Sequence, residues 1–162
     1  MLAEGRDGIS DLPEGRWEEF TSDPQIKAAV EKANTQGGYL DDVKTFDAEF
    51  FAMSPLEVAN VDPQQRLAME LTWEALEHAR IPASDLKGEQ VGVFIGSSAN
   101  DYQLLAVSDP PVHAHPYALT GTSTSIVANR VSYFYDFRGP SIALDTACSS
   151  SLVAVHQAVR SL

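Results

Sequence analysis

The stretch Ser141-Ile142-Ala143-Leu144-Asp145-Thr146-Ala147-Cys148-Ser149-Ser150-Ser151-Leu152 decides how this chain is read. Residues 141–145 form a short hydrophobic run, read as a strand. The residues after Cys148 read as a helix with Leu152, Val155, Val159 and Leu162 on one face. Cys148 is the only cysteine in the sequence. A thiol at a strand-to-helix turn sits at the positive end of the helix macrodipole, where unpaired backbone N–H groups favour a thiolate. Small residues crowd the turn and leave room for a carbonyl group to approach. Two readings follow: an exposed nucleophile, or a buried structural cysteine, since free cysteines are among the most buried residues. Asp145 alternates away from the thiol along the strand and is read as structural. Thr146 and Ala147 shape the turn, and Ser149 suits a helix cap.

Outward from this turn, Ser123 to Phe134 reads as a helix with Ile126, Val127, Val131 and Phe134 available for burial, and Gly139-Pro140 turns the chain into the strand. Gln90 to Ile95 is a β-branched run that predicts a buried strand closed by Gly96. Asp62-Pro63 predicts a cap and first helical residue for a helix to about Ala79, with an apolar stripe of Leu67, Leu71 and Ala75 and with Leu76 beside it. Ser54-Pro55-Leu56-Glu57 reads as a capping box. Pro24 opens a short helix to about Ala33, ended by Gly37-Gly38, and residues 1–22 are irregular. Asp101 to Ala106 predicts a short helix and Asp109-Pro110-Pro111 a loop. Alternating helices and strands predict a layered α/β domain.

The residues around the cysteine carry a resemblance. Asp145-Thr146-Ala147-Cys148-Ser149-Ser150-Ser151-Leu152 resembles the active-site segment of the β-ketoacyl synthases of modular polyketide synthases and animal-type fatty acid synthases. Val61-Asp62-Pro63-Gln64-Gln65-Arg66-Leu67 with Trp73-Glu74-Ala75-Leu76-Glu77 is similar to that family's "DPQQR…WEAL" helix. Gly38 to Val43 with Phe46 to Phe51 resembles the preceding loop. Thr120-Gly121-Thr122, Asn129 to Tyr133 and Arg138-Gly139-Pro140-Ser141 resemble the approach to the nucleophile. The blocks stand in the family's order over most of residues 37–162.

The resemblance implies a thiolase-like fold of layered α/β/α type, of which residues 1–162 would be an incomplete N-terminal half, without the first strand and the C-terminal half. It implies that Cys148 receives an acyl group as a thioester, its backbone N–H serving as one oxyanion donor. A malonyl-type unit on an acyl carrier protein then loses CO₂ and condenses with it, as in polyketide and fatty acid synthesis. Relatives that only decarboxylate carry glutamine at this position. No cofactor binds directly, because substrates ride on the phosphopantetheine of the carrier protein. The implied partners are that carrier protein, other domains of a polyketide synthase, and a second copy, paired through strand 141–145 with the Tyr117–Thr122 segment near the partner's acyl pocket. The family's two histidine motifs after the cysteine do not occur here, so these residues alone are expected to be inactive in condensation and poorly folded.

Other classes are disfavoured. The formal net charge of −12 argues against nucleic-acid binding, which needs a concentrated basic surface. It also poses a question for the acidic carrier protein, whose docking would need a local basic patch or a surface beyond these residues. One cysteine excludes an internal disulfide framework. No apolar run is long enough for a bilayer and no signal-peptide pattern opens the chain, so a cytoplasmic location is expected. His156, two turns along the helix from Cys148, is expected to pack or hydrogen-bond rather than react. His78 ends a helix, where a cation suits the dipole. His113 and His115 lack a further ligand at metal-site spacing, so no metal is expected. A non-catalytic segment with a structural or pairing role is the alternative, and a cysteine hydrolase with its own base and oxyanion site is a third reading.

Overall fold

The computed structural model describes residues 2–18, 21–108 and 116–162 and divides into two units, residues 1–43 and 44–162. The expected loop at Asp109-Pro110-Pro111 and the His113/His115 pair lie outside the described residues.

Among the described residues the first unit carries one α-helix, α1 (Pro24–Lys32), and a single 3-10 turn at Leu2–Glu4. Asp23 caps it through Oδ1, which accepts from the Gln25 and Ile26 amides at 2.7 and 3.4 Å, and Pro24 occupies the first turn, where its missing N–H costs nothing. The helix ends before Ala33, which is already extended, so the glycines at 37 and 38 are not its stop. Ser10 and Gly37 instead form an antiparallel bridge with bonds of 2.9 and 3.0 Å. Arg16 donates to the Leu40 carbonyl at 2.7 Å and lies over the Tyr39 ring.

The second unit is built on a two-stranded parallel sheet. Strand β1 (Val93–Gly96) pairs with β2 (Ser141–Leu144) in the register Val93–Ser141 to Gly96–Leu144. The first strand starts three residues later than the sequence predicts. Pro140, opposite its beginning, has no N–H to donate, and Gly139 lies so near Val91 that regular pairing gives way to single bonds, Arg138 N–H to Glu89 and Gly139 N–H to Val91.

Helices α2 (Pro55–Val58) and α3 (Pro63–His78) start where expected, but the capping box of α2 is half formed because the Glu57 carboxylate pairs with Arg130 instead of the Ser54 amide. Ser54 Oγ accepts from the Glu57 amide at 3.1 Å, and Asp62 Oδ1 from the Gln64 amide at 2.8 Å. Then follow α4 (Asp101–Ser108), α5 (Ala118–Thr122), α6 (Thr124–Tyr135) and α7 (Ser150–Arg160). Asp136, left-handed at φ 56°, stops α6 and lets the Phe137 amide reach back to Ser132. Helix α6 packs on α3 and on both strands, and α7 packs on the strands.

The core joins Phe51, Met53, Val61, Met69, Val131 and Tyr135. Around it Phe46 stacks on Phe51, and Phe50 meets Trp73 edge-on at 4.8 Å. Val127 and Val131 are buried as expected, with Ile126 and Phe134 half-buried.

Two expected apolar faces are not buried. On α3 the fully buried residues are Gln65 and Met69, whereas Leu71 is exposed. The side of α3 that meets α6 and the aromatic cluster is the one that closes. Leu67, Leu71 and Ala75 line an open groove of about 640 Å³ beside β1. On α7 only Ser150 and Ala154 are buried, while Leu152, Val155, Val159 and Leu162 are all exposed. No helix among the described residues is long and apolar enough to cross a membrane.

Candidate active site around Cys148

The register of β2 carries the chain past Leu144 into a tight turn, and the turn is built from side chain to backbone. Asp145 Oδ1 accepts the Ala147 amide at 2.9 Å, an Asx-turn that turns the backbone at the strand end. Ala147 adopts φ 53°, in the left-handed region that is uncommon for any residue but glycine. Cys148 follows, two residues before the first residue of α7, and is exposed. The buried structural cysteine is therefore not what the fold makes of this residue.

Asp145 is structural, as expected, and Thr146 and Ala147 shape the turn. Ser149 departs from expectation. It occupies the capping position, but its side chain accepts no amide from the helix. Its Oγ donates to the Thr146 carbonyl at 2.8 Å and lies 2.9 Å from Thr146 Oγ1. Because Ser149 is itself α-helical in conformation (φ −93°, ψ −1°), its Oγ is turned back toward the strand and away from the first helical amides. The buried serine is Ser150, whose Oγ accepts the Thr146 amide at 2.9 Å and donates to the Ala147 carbonyl at 2.7 Å. A run of three serines offers no pattern that singles out the middle one, and sequence reading missed it.

The end of β1 abuts the same turn. A Cβ on Gly96 would stand 2.5 Å from the Ser150 carbonyl carbon and 2.6 Å from the Ser151 nitrogen. Only glycine permits this approach of strand to helix, so the start of α7 is seated directly on the sheet.

His156 is exposed on α7 and its side chain makes no hydrogen bond among the described residues, so the packing or hydrogen-bonding role expected of it is not seen. His78 ends α3 as expected. Among the described residues no group of three or more His, Cys, Asp or Glu could hold a metal ion.

A second polar cluster was not anticipated. Arg130 of α6 donates from Nε to Gln65 Oε1 at 2.7 Å and from Nη1 to Glu57 Oε1 at 2.6 Å. Gln65 Nε2 then donates to the carbonyls of Thr120 and Gly121 at 3.0 and 2.9 Å, and the Asp62 amide also reaches Gly121. Together they tie α2, α3, α5 and α6. The sequence signal was the second glutamine of the Gln64-Gln65-Arg66 run in the first turn of α3, which the motif reading left without a role.

A family model described as β-ketoacyl synthase, N-terminal domain, matches residues 1–162. The chain belongs to this family. The match takes in the first 36 residues as well as the blocks from residue 37 onward. The ketosynthase segment is 48% identical over 163 residues to a phenolphthiocerol/phthiocerol polyketide synthase of Mycobacterium tuberculosis, covering all of this chain and 9% of that one. Among solved structures it is similar to the oxazolomycin ketosynthase domain of Streptomyces albus, at 45% identity and a TM-score of 0.79, over 97% of this chain and 28% of that one. It is also similar to the ketosynthase from module 6 of the bacillaene synthase of Bacillus subtilis, at 33% identity and a TM-score of 0.78, over 99% of this chain and 25% of that one. Its fold is thus the thiolase-like fold of ketosynthases, of which it spans the N-terminal part.

Proposed function

We propose that Cys148 is the acyl acceptor of a carbon–carbon bond-forming β-ketoacyl synthase in a polyketide synthase. The observation that carries this reading is the exposed thiol on a tight strand-to-helix turn, in a chain matched end to end by the family. The Cys148 thiolate adds to the thioester carbonyl of an acyl group held on the phosphopantetheine of an acyl carrier protein, and the carrier thiolate departs. The new thioester is nearly equal in energy to the old one. A malonyl-type unit, also carrier-bound, loses CO₂, and its enolate carbon attacks the acyl carbonyl. Cys148 leaves as thiolate, and the product is a β-ketoacyl thioester one unit longer. Covalent catalysis divides one hard step into easier ones. The Cys148 N–H lies beside the reacting carbonyl and serves as one oxyanion donor. Decarboxylation calls for further groups that these residues do not supply. A free thiol nucleophile also calls for a reducing compartment, in keeping with the cytoplasm.

The test offers the full-length protein an acyl thioester and maps the adduct by mass spectrometry. A single adduct on Cys148, lost in Cys148→Ala, is expected. Label on another residue, or turnover that survives the substitution, would remove the assignment.

A pairing role accompanies this reading. Strand β2 has one partner, β1, among the described residues, and Ile142 on it is exposed. Such an edge invites strand addition. We propose a homodimer through residues 141–145, which would bring Tyr117–Thr122 toward the partner's acyl pocket. Sedimentation equilibrium is expected to give a dimer, and an active monomer at low concentration would refute it.

A further inference from the structure

Three hydrogen bonds of Ser150 hold the turn, and two of them, both to the Ala147 carbonyl, set the direction of the Cys148 amide. Ser150 opens α7 and is 6% exposed. Its Oγ accepts from the Thr146 amide at 2.9 Å and donates to the Ala147 carbonyl at 2.7 Å, and its own N–H donates to the same carbonyl at 3.0 Å. The peptide joining Ala147 to Cys148 is trans, so its C=O and N–H point in opposite directions. Drawing the carbonyl toward Ser150 therefore turns the Cys148 N–H out of the turn. No hydrogen bond donated by it is found among the described residues, where the backbone pairing of Cys148 is an isolated bridge to Thr146. The left-handed Ala147 is held between these bonds and the Asp145 carboxylate, and Gly96 leaves room for Ser150 to sit at this depth.

We propose that Ser150 is a positioning residue for acyl transfer at Cys148, locking the 147–148 peptide so that the Cys148 N–H faces the oxygen that becomes negative. The proposal rests on Cys148 being the acyl acceptor. When the thiolate sulfur bonds to the thioester carbon, the carbonyl π pair moves onto oxygen, and that oxyanion accepts from the Cys148 N–H. Collapse restores the carbonyl and expels the carrier thiolate, which takes its proton from solvent. A donor helps only when it is aimed at the position of the oxyanion. Removing the Ser150 hydroxyl leaves one of the three bonds and frees the peptide to rotate.

The experiment uses two reactions of the same thiol in the full-length protein. Iodoacetamide alkylates sulfur by displacement at a saturated carbon, where no oxyanion forms. An acyl N-acetylcysteamine thioester acylates it through one. Following alkylation across about pH 6–10 separates any change in thiolate fraction from a change in acylation. Ser150→Ala is expected to slow acylation about 10- to 100-fold, short of the 10²–10³ lost when a donor is deleted outright. Alkylation should change little, and Ser150→Thr, which keeps the hydroxyl, should recover most of the loss. Equal losses in both reactions, or none in either, would overturn the proposal. Cys148→Ala runs alongside, because an adduct that persists there refutes the acceptor itself and not the role of Ser150 alone. Should Ser150→Ala fail to fold, hydrogen exchange on the unaltered protein decides. The Cys148 amide is expected to exchange almost as fast as an unstructured one while the Ser150 amide is protected, and a protected Cys148 amide would overturn the proposal.

Discussion

Replacing Arg130 by methionine is expected to be among the most damaging single changes outside the hydrophobic core. The guanidinium lies 2.6 Å from Glu57 Oε1, and the two side chains keep only 12% and 22% of their surface. At that separation the gross attraction is about 6 kcal/mol with an effective dielectric of about 20, much of it offset by desolvation. Removing one partner of a buried pair costs about 3–5 kcal/mol, because the other charge is left uncompensated. Glu57 retains some access to water, which puts its share near the lower end, about 3 kcal/mol. Gln65 is fully buried, and losing the donor to its Oε1 adds about 1–3 kcal/mol, not fully additive with the first loss. The expected total is about 3–5 kcal/mol, a large part of the ~5–15 kcal/mol by which domains are stable. Urea unfolding followed by tryptophan emission should show the midpoint falling by about 1–3 M with little change in slope. Adding Glu57→Leu removes the stranded charge and should return at least about 1 kcal/mol. A loss below about 1 kcal/mol, or a double variant no better than the single one, would show that Glu57 is solvated and the reasoning mistaken.

Gly121→Ala places a Cβ against the Asn60 carbonyl oxygen, and it is expected to cost at least about 1–3 kcal/mol by overpacking, read as a lower urea midpoint. Wild-type stability across this change would mean that α5 can shift away from residues 60–65. The Tyr135 hydroxyl donates to the Met69 carbonyl, and burial pushes its pKa from 10.0 to about 12. The unfolded chain then loses this proton at lower pH than the folded one, so stability should fall as pH rises from about 10 to about 12. Urea midpoints measured over that range should fall less steeply in Tyr135→Phe, and an unchanged slope would count against the assignment.

Much of this architecture could be read from residue pattern because the signals were local. Proline after a capping Ser or Asp marks the starts of α2 and α3, and Ser54 and Asp62 each accept a helix amide, although Glu57 turns to Arg130 and leaves the capping box half formed. The strand before Cys148 was legible from its hydrophobic run, and the turn from its small residues. Side-chain partners across the fold were not legible. Gln65 and Arg130 are 65 positions apart, and nothing near either one announces the other. Ser149 and Ser150 are chemically identical, and only the left-handed Ala147 and the proximity of Gly96 decide which hydroxyl is buried. Periodicity placed Leu152, Val155 and Val159 on one face of α7. That face is uncovered among the described residues, because an apolar stripe says that something should bury it and not what does.

The parallel pairing of β1 and β2 has a consequence for how the chain is made. Every paired residue lies 48 positions from its mate, Val93 with Ser141 and Gly96 with Leu144. On a ribosome adding about 5–20 residues per second, β1 leaves several seconds before its partner exists. Through that interval Val93, Phe94 and Ile95 have no ladder to join, while α3, already synthesised, can lie beside them. The turn that presents Cys148 is made after both strands but before α7, so its geometry is fixed only when Ser150 has followed it out.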